Sequence, residues 1–245
     1  MKQTSVYINS FNRSATSTSS SDFNIRLSRN IKDVEKVIIK SVEIPISYYP
    51  VNDNTNVITF TDNVPNTYVA TLTNKNYTGD DLATEMQTKM NALLAGFVIT
   101  YDEDTLKFTF TNSTNDFEIT LTGTSAYRII GLESDTTIAG AYTSENIVNL
   151  SGTNHIFLKS DFLSRGAELS LNDGSNDGYI FRVVVNEGFG SVLHYRVEAV
   201  NEHSFHYSKM LLDTLDFKLY DEEGNALDLN GGNWNIELLI FSRQD

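Results

Sequence analysis

At 245 residues the chain can bury a sizeable core without covalent staples, as one large β domain or as one domain with an insertion. It has no Cys, which excludes a disulfide framework and a thiolate metal site. Asp and Glu number 32 against 18 Lys and Arg, a net charge of −14, so the overall field opposes binding of nucleic acid through its phosphates.

The opening Met1-Lys-Gln-Thr-Ser-Val-Tyr-Ile-Asn-Ser lacks the apolar run of a signal peptide. No stretch approaches the ~20 apolar residues of a membrane span. Synthesis without a secretion signal is therefore expected. Val6-Tyr-Ile8 can pair as a short strand, but residues 14–21 are Ser, Thr and Ala only and cannot pack a core. Residues 1–21 read together as a flexible N-terminal arm. The first forty residues hold Lys2, Arg13, Arg26, Arg29, Lys32, Lys36 and Lys40 against Asp22, Asp33 and Glu35. This basic end is either a solvated strand face or a surface that meets an acidic neighbour, such as another copy of the chain.

Phe23-Asn-Ile25-Arg-Leu27 alternates as a half-buried strand should, and Val34 to Ile46 is a β-branched run interrupted at Pro45. Val57–Phe60 and Tyr68–Leu72 are further short strands. The style then changes. Thr78 with Asp80 and Asp81 forms a helix start, Leu82, Met86, Met90, Leu93 and Leu94 recur at helical spacing, and Gly96 sits where a helix stops. A helix is predicted over about 80–95. Phe97–Tyr101 and Leu106–Phe110 read as a hairpin, Phe117–Leu121 as a strand, Tyr127–Leu132 as a helical turn, and 133–146 as a polar loop. Beyond Ile147 the strands resume at Ile147–Leu150, His155–Leu158, Tyr179–Val185 and Val192–Ala199. Leu215–Tyr220 follows, then an acidic turn at Asp221–Asn225, a second turn at Asn230–Asn233, and a strand carrying Trp234, Ile236, Leu238 and Ile240 on one face.

The expected fold is mainly β. Residues 22–52 and 144–245 form one domain, and an α+β insertion at 53–143 carries the helix. Strands at the two ends must pair across that insertion, a non-local arrangement common in sandwiches and jelly rolls.

No catalytic, cofactor-binding or metal-binding residue emerges. Asp173-Gly-Ser-Asn-Asp177-Gly178 begins like a calcium loop, but the twelfth position is Val184 instead of Glu, so it reads as a hairpin turn. His203 and His206 have no third ligand at obvious spacing, and His155 and His194 lie inside strands. Gly188-Phe-Gly190-Ser191 joins strand to strand, which suits a hairpin turn and no phosphate loop. Alternation places Trp234 in a core, although exposed aromatics are what sugar-binding sandwiches use. With no nucleophile motif and no marked carboxylate pair, the chain is read as a non-enzyme.

Three stretches carry a resemblance. They are Tyr7–Arg13 with Asp22–Leu27 and Val34–Asn52; Asn76-Tyr-Thr78 with Ile99–Asp102, Leu106–Phe110 and Ile130-Gly-Leu132; and Leu215–Trp234. In this order they resemble penton (vertex) and minor capsid proteins of virophages, polinton-like viruses and related large double-stranded DNA viruses. The resemblance implies a jelly-roll β sandwich assembled as a homopentamer. That pentamer would occupy the five-fold vertices of an icosahedral virion, in contact with the major capsid protein and minor capsid proteins. It implies no cofactor, no direct nucleic-acid contact and no catalytic residue. The alternative is a carbohydrate- or receptor-binding β-sandwich spike module that meets a host glycan or receptor.

Overall fold

The computed structural model describes residues 1–64, 66–166, 178–197 and 204–243. It divides into two compact units, unit 1 of Met1–Tyr48 with Thr153–Asp245 and unit 2 of Tyr49–Gly152. Unit 1 opens with β1 (Lys2–Asn9) and β2 (Asp22–Pro45). Unit 2 holds β3 (Val57–Asp62), β4 (Thr67–Thr71), α1 (Gly79–Asn91), β5 (Phe97–Asp102), β6 (Lys107–Asn112), β7 (Phe117–Thr120), α2 (Tyr127–Ile130) and β8 (Ala141–Thr143). The chain returns to unit 1 for β9 (His155–Lys159), β10 (Tyr179–Val184), β11 (Val192–Arg196), β12 (Ser204–Tyr220) and β13 (Asn235–Ser242).

Unit 1 is one antiparallel sheet in the order β1-β13-β2-β12-β9-β10, with β11 also on β2. The spine is β2, 24 residues long. Along one side run β11, against Ser41–Pro45, and then β12, against Asp22–Ile38. The other side carries β13. The two closing strands therefore flank β2 and do not pair with each other.

So long a strand keeps one face buried only by changing phase. Val37 and Ile39 are buried, then Val42, Ile44 and Ile46. The alternation slips at Lys40, where the partner of β13 jumps from Ser41 to Ile39. A second slip skips Glu35. Each is a bulge, an extra residue that flips the side-chain phase. Both unpaired residues reach back to the β13 side, Lys40 Nζ to Glu237 Oε1 at 2.8 Å and Glu35 to Arg243.

Residues 1–21 are not a free arm. All eight residues of β1 pair with β13 in continuous register, from Lys2 opposite Ser242 to Asn9 opposite Asn235. The serine run cannot pack a core but can satisfy backbone. Ser14 N–H donates to Asn24 O at 2.8 Å, and Ser21 Oγ donates to Leu227 O at 2.5 Å. Ser20 and Ser21 are buried.

The core of unit 1 centres on three rings. Trp234 lies 5.7 Å from Phe23 and 5.9 Å from Phe217, both edge-on, and Phe23 lies 5.7 Å from Phe217. Trp234 Nε1–H donates to Ser20 O at 2.8 Å, and its backbone N–H donates to Ser10 Oγ at 3.0 Å. One residue thus ties the end of β1, the serine run, β2 and β12 together.

Unit 2 is two three-stranded sheets, β4-β3-β7 and β5-β6-β8, with α1 packed beside β5. Thr78 caps α1 by accepting Asp81 N–H at 3.2 Å, and Leu82, Met86 and Met90 are fully buried. Phe60, Phe97 and Phe117 stack edge-on beneath them. The helix ends at Asn91, short of 95, and the Asn91 side-chain amide pairs with β5. Its Oδ1 accepts Phe97 N–H and its Nδ2 donates to Phe97 O, both at 2.8 Å. One turn earlier, Gln87 Oε1 accepts Ile99 N–H at 2.9 Å. Two side chains of α1 thus cover the exposed edge of β5.

Two further expectations fail here. Residues 133–146 are not all loop, since Ala141–Thr143 pairs with Thr109–Thr111 as β8. Ile147–Leu150 is not a strand. Val148 N–H donates to Leu106 O and Asn149 N–H to Arg128 O, two different partners that build no ladder.

Gly79 has no room for a side chain, because a Cβ there would lie inside the ring of Tyr101. Gly79→Ala is expected to cost about 1–3 kcal/mol through displacement of that ring, read as a lower thermal midpoint by circular dichroism.

The β3–β4 turn hangs on Asp62. Its carboxylate accepts Val64 N–H at 2.9 Å, Asn66 N–H at 3.0 Å, Asn66 Nδ2 at 2.9 Å and Tyr68 OH at 3.1 Å. The Asn66 amide above all, with the backbone donors and Tyr68, holds the carboxyl down to about 2. The stabilisation is fully present above the ordinary aspartate range and fades as pH falls toward 2. Asp62→Asn is therefore expected to melt below wild type at pH 6, with the gap narrowed at pH 2.5. Melting curves at the two pH values check this, and a gap that stays constant would contradict it.

Candidate functional site

The residue types that could carry chemistry are dispersed. Among the described residues no three His, Cys, Asp or Glu side chains are placed to hold a metal ion. His155 Nδ1 lies 3.4 Å from Glu222 Oε2, His194 Nδ1 lies 3.7 Å from Glu43 Oε1, and His206 Nε2 lies 3.4 Å from Ser204 Oγ. His203 and residues 173–177 of the calcium-like turn lie outside the described residues. Gly188–Ser191 does not close a hairpin. It links β10 to β11, which pair with different strands, and it is pinned to the end of β2 by Gly190 N–H to Ile46 O and Ile46 N–H to Ser191 O, both at 2.8 Å. Trp234 is only 1% exposed, so it cannot stack on a sugar.

What remains is surface, and the sheet of unit 1 organises it. Register places Tyr7, Glu237, Ser41 and Arg196 in one row across β1, β13, β2 and β11, and Asn9, Asn235, Glu43 and His194 in the next. Side chains in such rows share a face. They line an open groove of about 630 Å³. Within it Lys40 pairs with Glu237, and Asn235 Nδ2 donates to Glu43 Oε2 at 3.1 Å, so the charges are largely satisfied internally. Tyr7 and Phe11 stand out beside it, 76% and 73% exposed.

The basic N-terminal end does not survive as one patch. Lys40 is paired, Lys36 lies over the Phe241 ring at 5.9 Å, and Arg13 Nη1 donates to Ser10 O at 3.0 Å. Unit 2 is the acidic part of the chain, with thirteen Asp and Glu against four Lys and Arg over 49–152. Five exposed acids gather at one end of it. Asp80 and Asp81 open α1 beside Gly79, which abuts Tyr101, and Asp102, Glu103 and Asp104 follow Tyr101 directly.

These elements define a class: a mainly β jelly-roll protein in which an α+β unit is set between the two segments of the β-sandwich. No family model and no curated protein matches the chain. Among solved structures it is similar to the mavirus penton protein, with a TM-score of 0.54 at 11% identity over 99% of this chain and 100% of that one. A chain in the structure of the Sputnik virophage matches at a TM-score of 0.45 and 14% identity over 97% of this chain and 98% of that one. The mavirus likeness spans both units and establishes the shared fold.

Proposed function

We propose that this chain is a structural capsid protein, a pentameric penton at the five-fold vertices of an icosahedral virion, seated against the major capsid protein. The observation that carries this reading is the end-to-end fold likeness to the mavirus penton protein, which includes the inserted unit as well as the sandwich. The dispersal of the titratable groups is consistent with it, because among the described residues no three metal-ligating side chains converge. A five-fold ring is a head-to-tail contact that closes, so two different faces of one chain must fit each other. The reading assigns the protein no reaction and no cofactor. No helix among the described residues is long and apolar enough to cross a membrane.

Sedimentation equilibrium of the purified chain is the test. The expected particle has five times the 27.5 kDa of the chain. A strictly monomeric protein that is also absent from purified particles would remove the proposal.

A further inference from the structure

We propose that the corner of unit 1 where β1 begins and β13 ends docks the acidic end of unit 2 of a second copy of this chain. The inference rests on the self-assembly argued above and names the contact that drives it.

The corner is set by register. Lys2 faces Ser242, Ser242 faces Val34, and Val34 faces Met210, so four strands bring one end together. Lys2, Arg29, Lys32 and Arg243 surround an open groove of about 750 Å³ in which Asp33 is the one lining carboxylate among the described residues. Arg243 is held by Glu35. Lys2, Arg29 and Lys32 are exposed, and no ion pair among the described residues takes them. In a chain of net charge −14, three free cations around one groove run against the composition.

The backbone at this corner is specialised as well. Asp33 has φ 50, and Lys209, at the same level of the adjoining strand, has φ 58. A left-handed residue other than glycine costs about 1–2 kcal/mol, and here two of them bend neighbouring strands together. The β2–β12 register breaks at the same place, between Met210 and Leu212. Bulges of this kind re-aim side chains out of the ladder, and Lys32, beside Asp33, is one of those left unpaired here.

A compact acidic surface is the complement such a corner selects, and the chain carries one at the Asp80 and Glu103 end of unit 2. Single exposed ion pairs contribute little. Several charges facing several of the opposite sign steer association and fix register. The two faces differ, so the contact is head-to-tail, as a closing ring requires. A long polyanion such as duplex DNA would instead meet the repulsion of the whole acidic chain.

Three full-length variants test this, with circular dichroism as the check on folding and particle mass in 0.15 M salt as the readout. Lys2→Glu/Arg29→Glu/Lys32→Glu reverses the corner, Asp80→Lys/Glu103→Lys/Asp104→Lys reverses its complement, and the third variant carries all six changes. Each triple reversal is expected to raise the concentration for half-assembly by about tenfold or more, and the sixfold variant to restore most of that loss. If a reversed chain does not fold, Lys2→Gln/Arg29→Gln/Lys32→Gln replaces it, with a smaller loss expected. Pentamers that form equally well in wild type and both triple variants overturn the contact and leave the vertex reading intact. A wild type monomeric at every concentration overturns both. Loss of retention on duplex DNA by the corner variant, with assembly unchanged, would assign the corner to phosphates and overturn the proposal.

Discussion

Replacing Trp234 by Ala is expected to destabilise the fold by about 3–5 kcal/mol, and to lower the thermal midpoint by about 6–20 °C at the 2–4 °C per kcal/mol usual for chains of this size. The magnitude follows from the position. The indole is buried against Phe23 and Phe217, so truncation leaves a cavity among rings that belong to different strands and cannot collapse together. It also strips Ser20 O of its indole donor. Trp234→Phe separates the two effects. It keeps most of the ring packing and loses the hydrogen bond, for an expected cost of about 1–2 kcal/mol. Far-ultraviolet circular dichroism reads both variants. As the single Trp of the chain, Trp234 also gives the wild type a blue-shifted emission that moves red on unfolding. A Trp234→Ala midpoint within 2 °C of wild type, on the scale of about 1 kcal/mol or less, would show that the core of unit 1 is organised elsewhere.

Deleting residues 1–9 is expected to be nearly as damaging, although those residues read as part of a flexible arm in the sequence. Removal of β1 withdraws buried Ile8 and half-buried Val6 and Thr4 from the sheet, a loss of about 3–5 kcal/mol in apolar burial. It also strips β13 of its partner along eight residue pairs. That uncovers Ile236, Leu238 and Ile240 beside a row of unpaired backbone groups, the pattern that recruits strands from other molecules. The deleted protein should therefore aggregate, with most of the chain in the pellet after expression. Tyr7→Ser is the control. Tyr7 points to solvent from the same strand, so this change should leave solubility and midpoint unaltered. A soluble, cooperatively folded deletion variant would restore the flexible-arm reading.

The features legible in the sequence were those written in local periodicity. Leu82, Met86 and Met90 marked a helix, Phe97–Tyr101 and Leu106–Phe110 marked a hairpin, and Trp234 with Ile236 and Leu238 marked a buried face. The features missed depend on distant partners. Nothing in Lys2–Asn9 says that β13 waits for it, and nothing in Ser14–Ser21 says that its hydroxyls will bind Asn24 and Leu227. Glu35 and Lys40 look like ordinary polar positions in a strand, and only the register with β13 reveals them as bulges. The Asn91 side chain serves as an edge partner for Phe97, a pairing that propensity does not carry. For the candidate surface, the excess of Lys and Arg near the start was visible. Which of those cations stay free was not, because it depends on ion pairs and ring contacts made across the sheet.

The pairing of Asn9 with Asn235 also sets a timetable. At about 5–20 residues per second, a ribosome needs ten seconds or more to deliver β13 after β1 has emerged. Unit 2 is built from neighbouring hairpins and one helix within 49–152, so it can collapse while translation continues. The first strand, meanwhile, must wait unpaired until β13 arrives. Holding chaperones should therefore bind nascent chains stalled before residue 235 more than released ones.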